Sequence, residues 1–320
     1  MSLLAVAGAN SASGGYDVDN SLKIEGDNTE RLYFTPSANS TGNQRTFTIS
    51  CWVKRTEISS DLIMNIIGAG FDNEDKDSGF RFHSDEFRFA VFGSPINTDI
   101  RTNALFRDTS AWYHIVIGFD STQSTNTNRV KLYVNGNQVT DLKTSTYPSQ
   151  NLQTRWGENG KTMMIGNRPG NSANSHAGST QYFNGYIAEA YFVDGQQLQA
   201  SDFGEFDGDT GIWKPIQYTG SFGNNGWYLD FKNSSNLGED QSGNNNDFSA
   251  NNITAADQAT DTPTNNFCTM NTNFKTSSSI VVSEGQTKVT CGSGTGWLSN
   301  VGTVALTKGK WYWEVASVTS

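Results

Sequence analysis

Two adjacent segments constrain the fold most, because each has the pattern of a β-strand. Apolar and polar residues alternate through residues 129–134, and Asn135-Gly136 then supplies the pair of positive-φ residues that a tight hairpin turn requires. The preceding segment, residues 112–120, is apolar on both of its alternating faces, as expected of a strand covered by protein on both sides. Two such strands in succession predict the core of a β-sandwich.

The rest of the chain extends this pattern. It has 320 residues, of which 35% are hydrophobic and only 17% charged, and Gly, Asn, Ser and Thr fill the intervals between apolar runs. One short helical turn is predicted at residues 199–203. Further strands are predicted at residues 22–24, 32–34, 46–54, 62–67, 80–83, 87–92, 163–165, 186–193 and 226–231. We therefore predict an all-β fold, an antiparallel two-sheet sandwich or jelly roll.

Charge and cysteine content argue against several classes of partner. A net charge of −10, without a basic run interleaved with aromatics, makes nucleic acid an unexpected partner. Three widely spaced cysteines form neither a disulfide framework nor a metal motif. No stretch approaches the roughly 18 apolar residues of a membrane span, so no membrane insertion is expected. The short apolar N-terminus has no preceding Lys or Arg, so a secretion signal is not expected either.

Five pieces in order resemble the laminin-G-like, concanavalin-A-like lectin/glucanase sandwich. The resemblance covers about residues 20–205 and implies the same jelly-roll fold. The pieces are Phe47-Thr-Ile-Ser-Cys-Trp-Val-Lys54, Trp112-Tyr-His-Ile-Val116, Lys131-Leu-Tyr-Val-Asn-Gly136, Ile165-Gly166 and Phe183-Asn-Gly-Tyr-Ile-Ala-Glu189.

The C-terminal part carries two further resemblances. Residues 261–271 look like a junction found in bacteriophage structural proteins, and Gly296-Trp297 with residues 308–315 resemble the opening strands of a SPRY domain. Because Trp311, Trp313 and Val315 alternate shortly before the last residue, we expect the sequence to be truncated. The expected domains are 1–20, an arm or linker; 21–248, the lectin-like sandwich with a C-terminal extension; 249–278, a linker; and 279–320, the start of a SPRY-like domain.

Catalysis is not expected, and no catalytic residue is proposed. Only His83, His114 and His176 could serve as imidazole bases; His114 lies within a predicted strand, which favours a structural role. The run Glu205-Phe-Asp207-Gly-Asp209 resembles the Glu-x-Asp-x-x-Glu signature of laminarinase-type glucanases, but Thr210 stands where the second Glu belongs. The chain is therefore predicted not to be an enzyme.

Calcium is the cofactor that the sequence favours, if it has one. Four acids concentrate in residues 72–79, and Asp72, Asp75, Asp77 and Glu86 are the candidate ligands, because calcium prefers several oxygen donors from loops. Laminin-G-like domains often carry such a calcium, which is what the resemblance implies. A solvated acidic loop is the alternative.

Sugar recognition needs aromatic faces beside amides and carboxylates. Trp156 lies in a polar loop with Arg155, Glu158 and Asn159, and these residues are candidate glycan ligands, with Arg168 and Trp52 as further candidates. Trp52 is expected on the more polar face of strand 46–54. A buried anchor under the loop is the alternative role for Trp156.

The resemblances favour a bacteriophage virion structural protein, tail-fibre-like or spike-like, which presents lectin-like sandwiches to host cell-surface glycans. It is expected in the virion, assembled in the host cytoplasm, as a homo-oligomer whose N-terminal arm contacts other virion subunits. Three alternatives stay open: an architectural capsid decoration or fibre protein, a secreted adhesin or carbohydrate-binding module, and a glycoside hydrolase. The missing second Glu counts against the last.

Overall fold

The computed structural model describes residues 15–26, 29–37, 42–58, 63–70, 78–92, 96–170, 181–292 and 297–316. In these ranges the regular structure is almost entirely β, with two eight-stranded sheets. Short 3₁₀ helices occur at Asn126–Asn128, Ala200–Asp202 and Ala255–Asp257. The second of these lies within the predicted turn at residues 199–203. None of the helices in the described residues has the length and apolar character needed to cross a membrane.

Sheet A has the strand order β10-β9-β8-β3-β13-β1-β18, and β16 also pairs with β13. Its strands are β1 Ser21–Glu25, β3 Thr46–Arg55, β8 Tyr113–Asp120, β9 Val130–Val134, β10 Asn137–Gln138, β13 Asn184–Asp194, β16 Trp227–Leu229 and β18 Gln258–Ala259. The hairpin that the sequence indicated is present between β9 and β10, with φ of 45° at Asn135 and 81° at Gly136.

Sheet B has the order β11-β7-β6-β5-β4-β12-β2-β17. Its strands are β2 Arg31–Phe34, β4 Ile63–Ala69, β5 Ser78–His83, β6 Glu86–Val91, β7 Thr98–Leu105, β11 Leu142–Thr146, β12 Met163–Ile165 and β17 Ser249–Asn251. All pairings within both sheets are antiparallel, so the predicted fold class is confirmed.

Three small two-stranded units complete the regular structure of the described residues. They are the hairpin of β14 Gly204–Phe206 with β15 Trp213–Pro215, the pair β19 Met270–Lys275 with β22 Asn300–Gly302, and the hairpin of β20 Ile280–Ser283 with β21 Lys288–Cys291. Residues 303–316 contain no strand, and the side chains of Trp311, Tyr312 and Trp313 are exposed. The alternation around Trp311 therefore does not form a strand here.

The main core lies between the two sheets. In β3, Phe47, Ile49, Cys51 and Val53 all point into it, as their alternation predicted. From sheet B, aromatic side chains of β5 and β6 meet them, so that both sheets contribute to one continuous apolar cluster.

The outer face of sheet A is also covered, which the sequence pattern did not indicate. One apolar cluster, with Tyr133, Tyr191, Phe203 and Tyr228 among its members, forms where residues 198–222 fold back over the sheet. A second cluster surrounds Trp52, which is only 4% exposed. Trp52 therefore lies on the face opposite Cys51 and Val53, as predicted, but its burial there does not suit the further candidate role as a glycan ligand.

Segments distant in sequence supply this cover. Val18 packs on Trp52, and β18 adds an edge strand beside β1. The ammonium of Lys54 is buried beneath residues 261–267, where its Nζ lies 2.7 Å from Asp261 Oδ2 and donates to Asn266 Oδ1 at 2.8 Å. Burial lowers the pKa of Lys54, and the adjacent Asp261 carboxylate opposes that effect. The polar segment at residues 261–267 is thus fixed to the sandwich.

Candidate functional site

The aromatic pocket is a cavity of about 350 Å³ on the outer side of sheet A. Its aromatic lining comes from Tyr133, Phe206 and Trp213, and its polar lining includes Gln199, Ser201 and Glu205. Phe206 is half exposed, Trp213 is partly exposed and Tyr133 is largely buried. Ring faces beside an amide, a hydroxyl and a carboxylate are the groups that a sugar binds.

Two hairpins bring these aromatic residues together. Phe206 of β14 stands directly opposite Trp213 of β15, and their ring centroids are 4.9 Å apart at an interplanar angle of 67°. The β9–β10 turn places Gly136 against the Trp213 indole, where an added Cβ would lie 2.3 Å from ring carbon Cε3. A side chain at position 136 would displace the indole, so the turn glycine is required for both its positive φ and its size.

The indole of Trp213 is held from below by a buried histidine. Trp213 Nε1 donates to His114 Nδ1 at 3.0 Å, and His114 Nε2 lies 2.9 Å from Ser50 Oγ. Burial lowers the pKa of His114 to about 3, so the ring is neutral at neutral pH. Because Nδ1 accepts the indole proton, the ring proton resides on Nε2 and is donated to Ser50. The structural role expected for His114 is thereby explained: it orients Trp213.

The carboxylates at the edge of the pocket share one cation. Lys214 Nζ lies 3.3 Å from Glu205 and 3.2 Å from Asp207. Hydrogen bonds from the backbone and the hydroxyl of Thr210, followed by that from Lys214, lower the pKa of Asp207 to about 2. Asp207 is therefore an anion at neutral pH and cannot serve as a general acid there. Thr210, the residue that breaks the glucanase signature, caps this turn.

The candidate role of Trp156 as a glycan ligand does not agree with its position. It is fully buried in the main core, and its ring centroid lies 5.9 Å from that of Phe47, 6.3 Å from Phe89 and 6.2 Å from Phe192. Since these rings surround the indole, it is not available to a sugar in this structure. The alternative that the sequence offered, a buried anchor beneath the loop, describes its position.

The polar neighbours of Trp156 remain at the surface. Arg155 pairs with Glu158 at 2.6 Å, and Asn225 Nδ2 donates to Asn159 Oδ1 at 3.4 Å. Arg168 is partly exposed and contacts Gln181 at 3.5 Å, beside Asn65 of sheet B. Nothing in these contacts selects a ligand, so the assignment of Arg155, Glu158, Asn159 and Arg168 to a glycan site stays a prediction.

A second cavity, the polar cleft, lies next to that loop. It measures about 520 Å³ and is lined by Asn43, Arg45, Gln153, Asp194 and Asn224, among others. The carboxylate of Asp194 is already engaged, because Oδ1 accepts from the backbone of Asn43 at 2.6 Å and Oδ2 from that of Asn225 at 3.1 Å. The lining residues include amides but no aromatic ring, so a sugar would find hydrogen bonds here without a stacking surface.

The predicted calcium ligands are mostly outside the described residues. Asp72, Asp75 and Asp77 lie outside the described residues. So does His176, which was considered only as an imidazole base. Glu86 is described: it begins β6, is buried, and pairs with Lys143 of β11. In the part of the chain that the structure describes, no group of three or more His, Cys, Asp or Glu side chains is arranged to hold a metal ion. The calcium site stays a prediction.

Sequence analysis did not identify the aromatic pocket, although the sequence contains a pattern that predicts part of it. Phe206 and Trp213 flank Asp207-Gly-Asp-Thr-Gly211, which is a strong turn sequence between two aromatic residues. That pattern predicts a short hairpin with its two rings in contact. The contribution of Tyr133 could not be read in the same way, since it comes from a strand about 70 residues earlier.

A two-sheet antiparallel jelly roll with an aromatic pocket outside one sheet defines the class of this molecule. A laminin-G-type model, described as the concanavalin A-like lectin/glucanases superfamily, matches residues 27–201, which is more than half of the chain. The chain therefore belongs to the concanavalin A-like lectin/glucanases superfamily. None of the curated proteins matches it.

Several solved structures are similar to this chain at low sequence identity. The native heptameric SAP-like pentraxin from Limulus polyphemus is 14% identical with a TM-score of 0.42, over 58% of this chain and 80% of that one. Domains LG4-5 of the mouse laminin alpha1 chain are 14% identical with a TM-score of 0.37, over 67% and 48%. The CBM40 of the Ruminococcus gnavus IT-sialidase, bound to alpha2,3 sialyllactose, is 16% identical with a TM-score of 0.32, over 52% and 86%.

Proposed function

We propose that this chain is a non-catalytic carbohydrate-binding protein whose sugar site is the aromatic pocket. The observation that carries the proposal is the arrangement of Trp213 and Phe206 beside Gln199, Ser201 and Glu205. A pyranose ring would place its C–H face on the aromatic rings, and its hydroxyls would bond to the amide, hydroxyl and carboxylate. Because the indole is fixed by His114 and Gly136, little ordering is needed on binding.

The biological setting that we propose is a bacteriophage virion, in which the chain is a tail-fibre-like or spike-like component that contacts host cell-surface glycans. This rests on the resemblance of residues 261–271 to a phage junction and of residues 296–315 to the start of a SPRY domain. Several copies on one particle would convert weak single sites into firm attachment. An architectural virion protein and a secreted bacterial carbohydrate-binding module are the competing proposals.

The glycan proposal is tested on an array of host glycans and lipopolysaccharides with oligomeric protein. Phe206→Ala should weaken the strongest binding about tenfold, equivalent to roughly 1.4 kcal/mol of lost ring contact. Ile212→Ala is the matched control, because Ile212 is an exposed apolar residue of the same hairpin outside the pocket. Equal binding by both variants would contradict the pocket, and no binding to any glycan would favour the architectural role.

The virion setting needs a separate test. Mass spectrometry of purified particles and labelling with an antibody to this chain should find it on the virion. Recovery only from the culture medium of a bacterium would instead favour the secreted carbohydrate-binding module.

The calcium proposal is tested by thermal unfolding. Millimolar calcium should raise the melting temperature and EDTA should lower it, because an ion that binds only the folded chain stabilises it. An unchanged melting temperature would contradict calcium binding.

A further inference from the structure

Three arginines lie side by side on the outer face of sheet B. Arg81 of β5 is directly opposite Arg88 of β6, and Arg88 is directly opposite Arg101 of β7. Each alternates with residues of the main core, so all three point away from it. Like charges placed directly across strands destabilise a sheet, and this row occurs in a chain with a net charge of −10. The row therefore needs a compensating interaction.

The carboxylate of Asp99 pairs with two of these arginines, Arg88 and Arg101. Asp99 accepts from Arg88 Nε at 2.8 Å through Oδ1 and from Nη2 at 2.8 Å through Oδ2, a bidentate pair. The same Oδ1 accepts from Arg101 Nε at 3.1 Å. Arg81 and Arg88 also lie over the ring of Phe92, with their Cζ atoms 4.8 and 5.2 Å from its centroid. Asp99 can neutralise only one of the two guanidinium groups that it holds.

Arg101 is the member of the row that a ligand can reach. Its side chain is 25% exposed, whereas Arg81 and Arg88 are almost fully buried. Its Nε is engaged by Asp99, and no acceptor among the described residues lies within hydrogen-bond distance of its two terminal nitrogens. The guanidinium is thus anchored at one edge and presents its other edge to solvent.

Among the described residues, the charged side chains that adjoin the row include Glu86, Lys143 and, beside Asn103 two residues further along β7, Asp141. Next to the row, Glu86 pairs with Lys143, so that these two charges cancel. His83 adjoins Arg88, with 3.3 Å between His83 Nδ1 and Arg88 Nη1. Burial, and then the charges of Arg88, Arg101 and Arg81, lower the pKa of His83 to about 4. His83 is therefore neutral at neutral pH, and it supplies a hydrogen-bonding ring without adding charge.

We propose that the outer face of sheet B binds an acidic sugar through Arg101, whose two terminal nitrogens take the two oxygens of a carboxylate. Asp99 fixes the guanidinium from the opposite edge, so that the fork is oriented before the ligand arrives. This site is separate from the aromatic pocket, which lies outside the other sheet. Arg101 would select sugars that carry a carboxylate over neutral ones.

The test uses calorimetric titration with a uronic-acid-containing oligosaccharide and its carboxyl-reduced counterpart. The native chain should bind the acidic form at least about tenfold more tightly. Arg101→Gln should abolish that preference, and Arg101→Lys should restore part of it, because an ammonium keeps the charge without the planar fork. Arg45→Gln removes the same charge from an exposed residue in the polar cleft and should retain the preference.

Other outcomes would overturn the proposal. Equal affinity for the acidic and the reduced sugars, or an acid preference that persists in Arg101→Gln, would exclude Arg101 as the carboxylate site. A sugar phosphate or sulfate that binds as tightly would replace carboxylate recognition by general anion attraction. Phe206→Ala separates this site from the aromatic pocket, because it should weaken neutral sugars and leave the acid preference intact.

Discussion

The outer faces of the two sheets differ in how their charged side chains are paired and covered. The outer face of sheet A is buried under apolar side chains and distant segments, and its buried ammonium, Lys54, has a buried carboxylate partner in Asp261. The outer face of sheet B carries a row of three arginines, and Asp99 is shared between two of them. The first face is closed by the chain itself, whereas the second keeps a cation available. A charged side chain that is fully paired and covered stabilises the fold, whereas one that keeps unpaired, partly exposed donors can also bind an anionic ligand.

The largest loss of stability is expected for a substitution in the main core, between the two sheets. Trp156→Ala should lower the free energy of unfolding by about 4 kcal/mol, because a fully buried indole leaves a large cavity. Chemical denaturation measures this loss, and Trp297→Ala, at a fully exposed tryptophan, should cost almost nothing. If Trp156→Ala were stable and lost sugar binding alone, Trp156 would be a ligand residue after all.

On the covered face, Asp261→Ala should cost about 3 kcal/mol, because it leaves the charge of Lys54 buried without its carboxylate. It also removes the acceptor of the Trp112 indole, at 2.9 Å. Asp209→Ala, at an exposed aspartate, is the control for denaturant titration. A loss below about 0.5 kcal/mol would mean that residues 261–267 do not cover Lys54 in solution.

On the arginine face, Asp99→Asn should cost less, about 2 kcal/mol, because asparagine keeps one acceptor oxygen for the buried Arg88 and Arg101 is partly solvated. Burial raises the pKa of Asp99, but hydrogen bonds from Arg88 and Arg101 outweigh it and the net shift is downward. The stabilisation is therefore present above about pH 4 and is lost as the pH falls through the pKa of folded Asp99. Native and variant stabilities should converge in acid, and a constant gap across that range would contradict the ion pair.

Glu30 should give the opposite pH dependence. Burial raises its pKa to about 7, and the nearby Asp257 adds to that effect. A raised pKa stabilises the folded chain at a pH below about 4.5, and this contribution is lost as the pH rises to about 7. Glu30→Gln should remove about 1.5 kcal/mol of that change between pH 4.5 and 7.5, after allowance for solvent screening. Glu314→Gln, at an exposed glutamate, should leave the profile unchanged.

The smallest effect is expected at the edge of the aromatic pocket. Lys214→Ala should leave the unfolding temperature almost unchanged, because exposed ion pairs contribute little. A thermal melt at low and high salt measures it. A larger loss would show that the β14–β15 hairpin depends on this lysine, and would weaken its use as a rigid support for Phe206 and Trp213.

The sequence predicted most strands of the two sheets because their signals are local, but it did not predict β7, β11, β17 or β18. The β9–β10 hairpin follows from alternation and one Asn-Gly pair, and the inward face of β3 follows from its period of two. Local patterns could not show that Val18 and residues 198–222 cover sheet A, because those contacts join distant parts of the chain. The burial of Trp52 on that face was missed for the same reason.

The candidate sites depend even more on distant contacts. Trp156 is surrounded by polar residues in the sequence but by phenylalanine rings in the fold. The aromatic pocket joins Tyr133 to residues 199–216, and the arginine row needs the register of three strands, one of which, β7, has no clear alternation of apolar residues. The sequence showed which side chains could bind a ligand, but not which other side chains the fold would place beside them.

The most direct test of sugar binding in the aromatic pocket is the crystal structure of this chain with the oligosaccharide that binds most tightly on the array. We predict a sugar ring against Trp213 and Phe206, with hydroxyls bonded to Gln199 or Glu205. A sugar bound in the polar cleft or on the arginine face, with the aromatic pocket empty, would contradict sugar binding in the aromatic pocket.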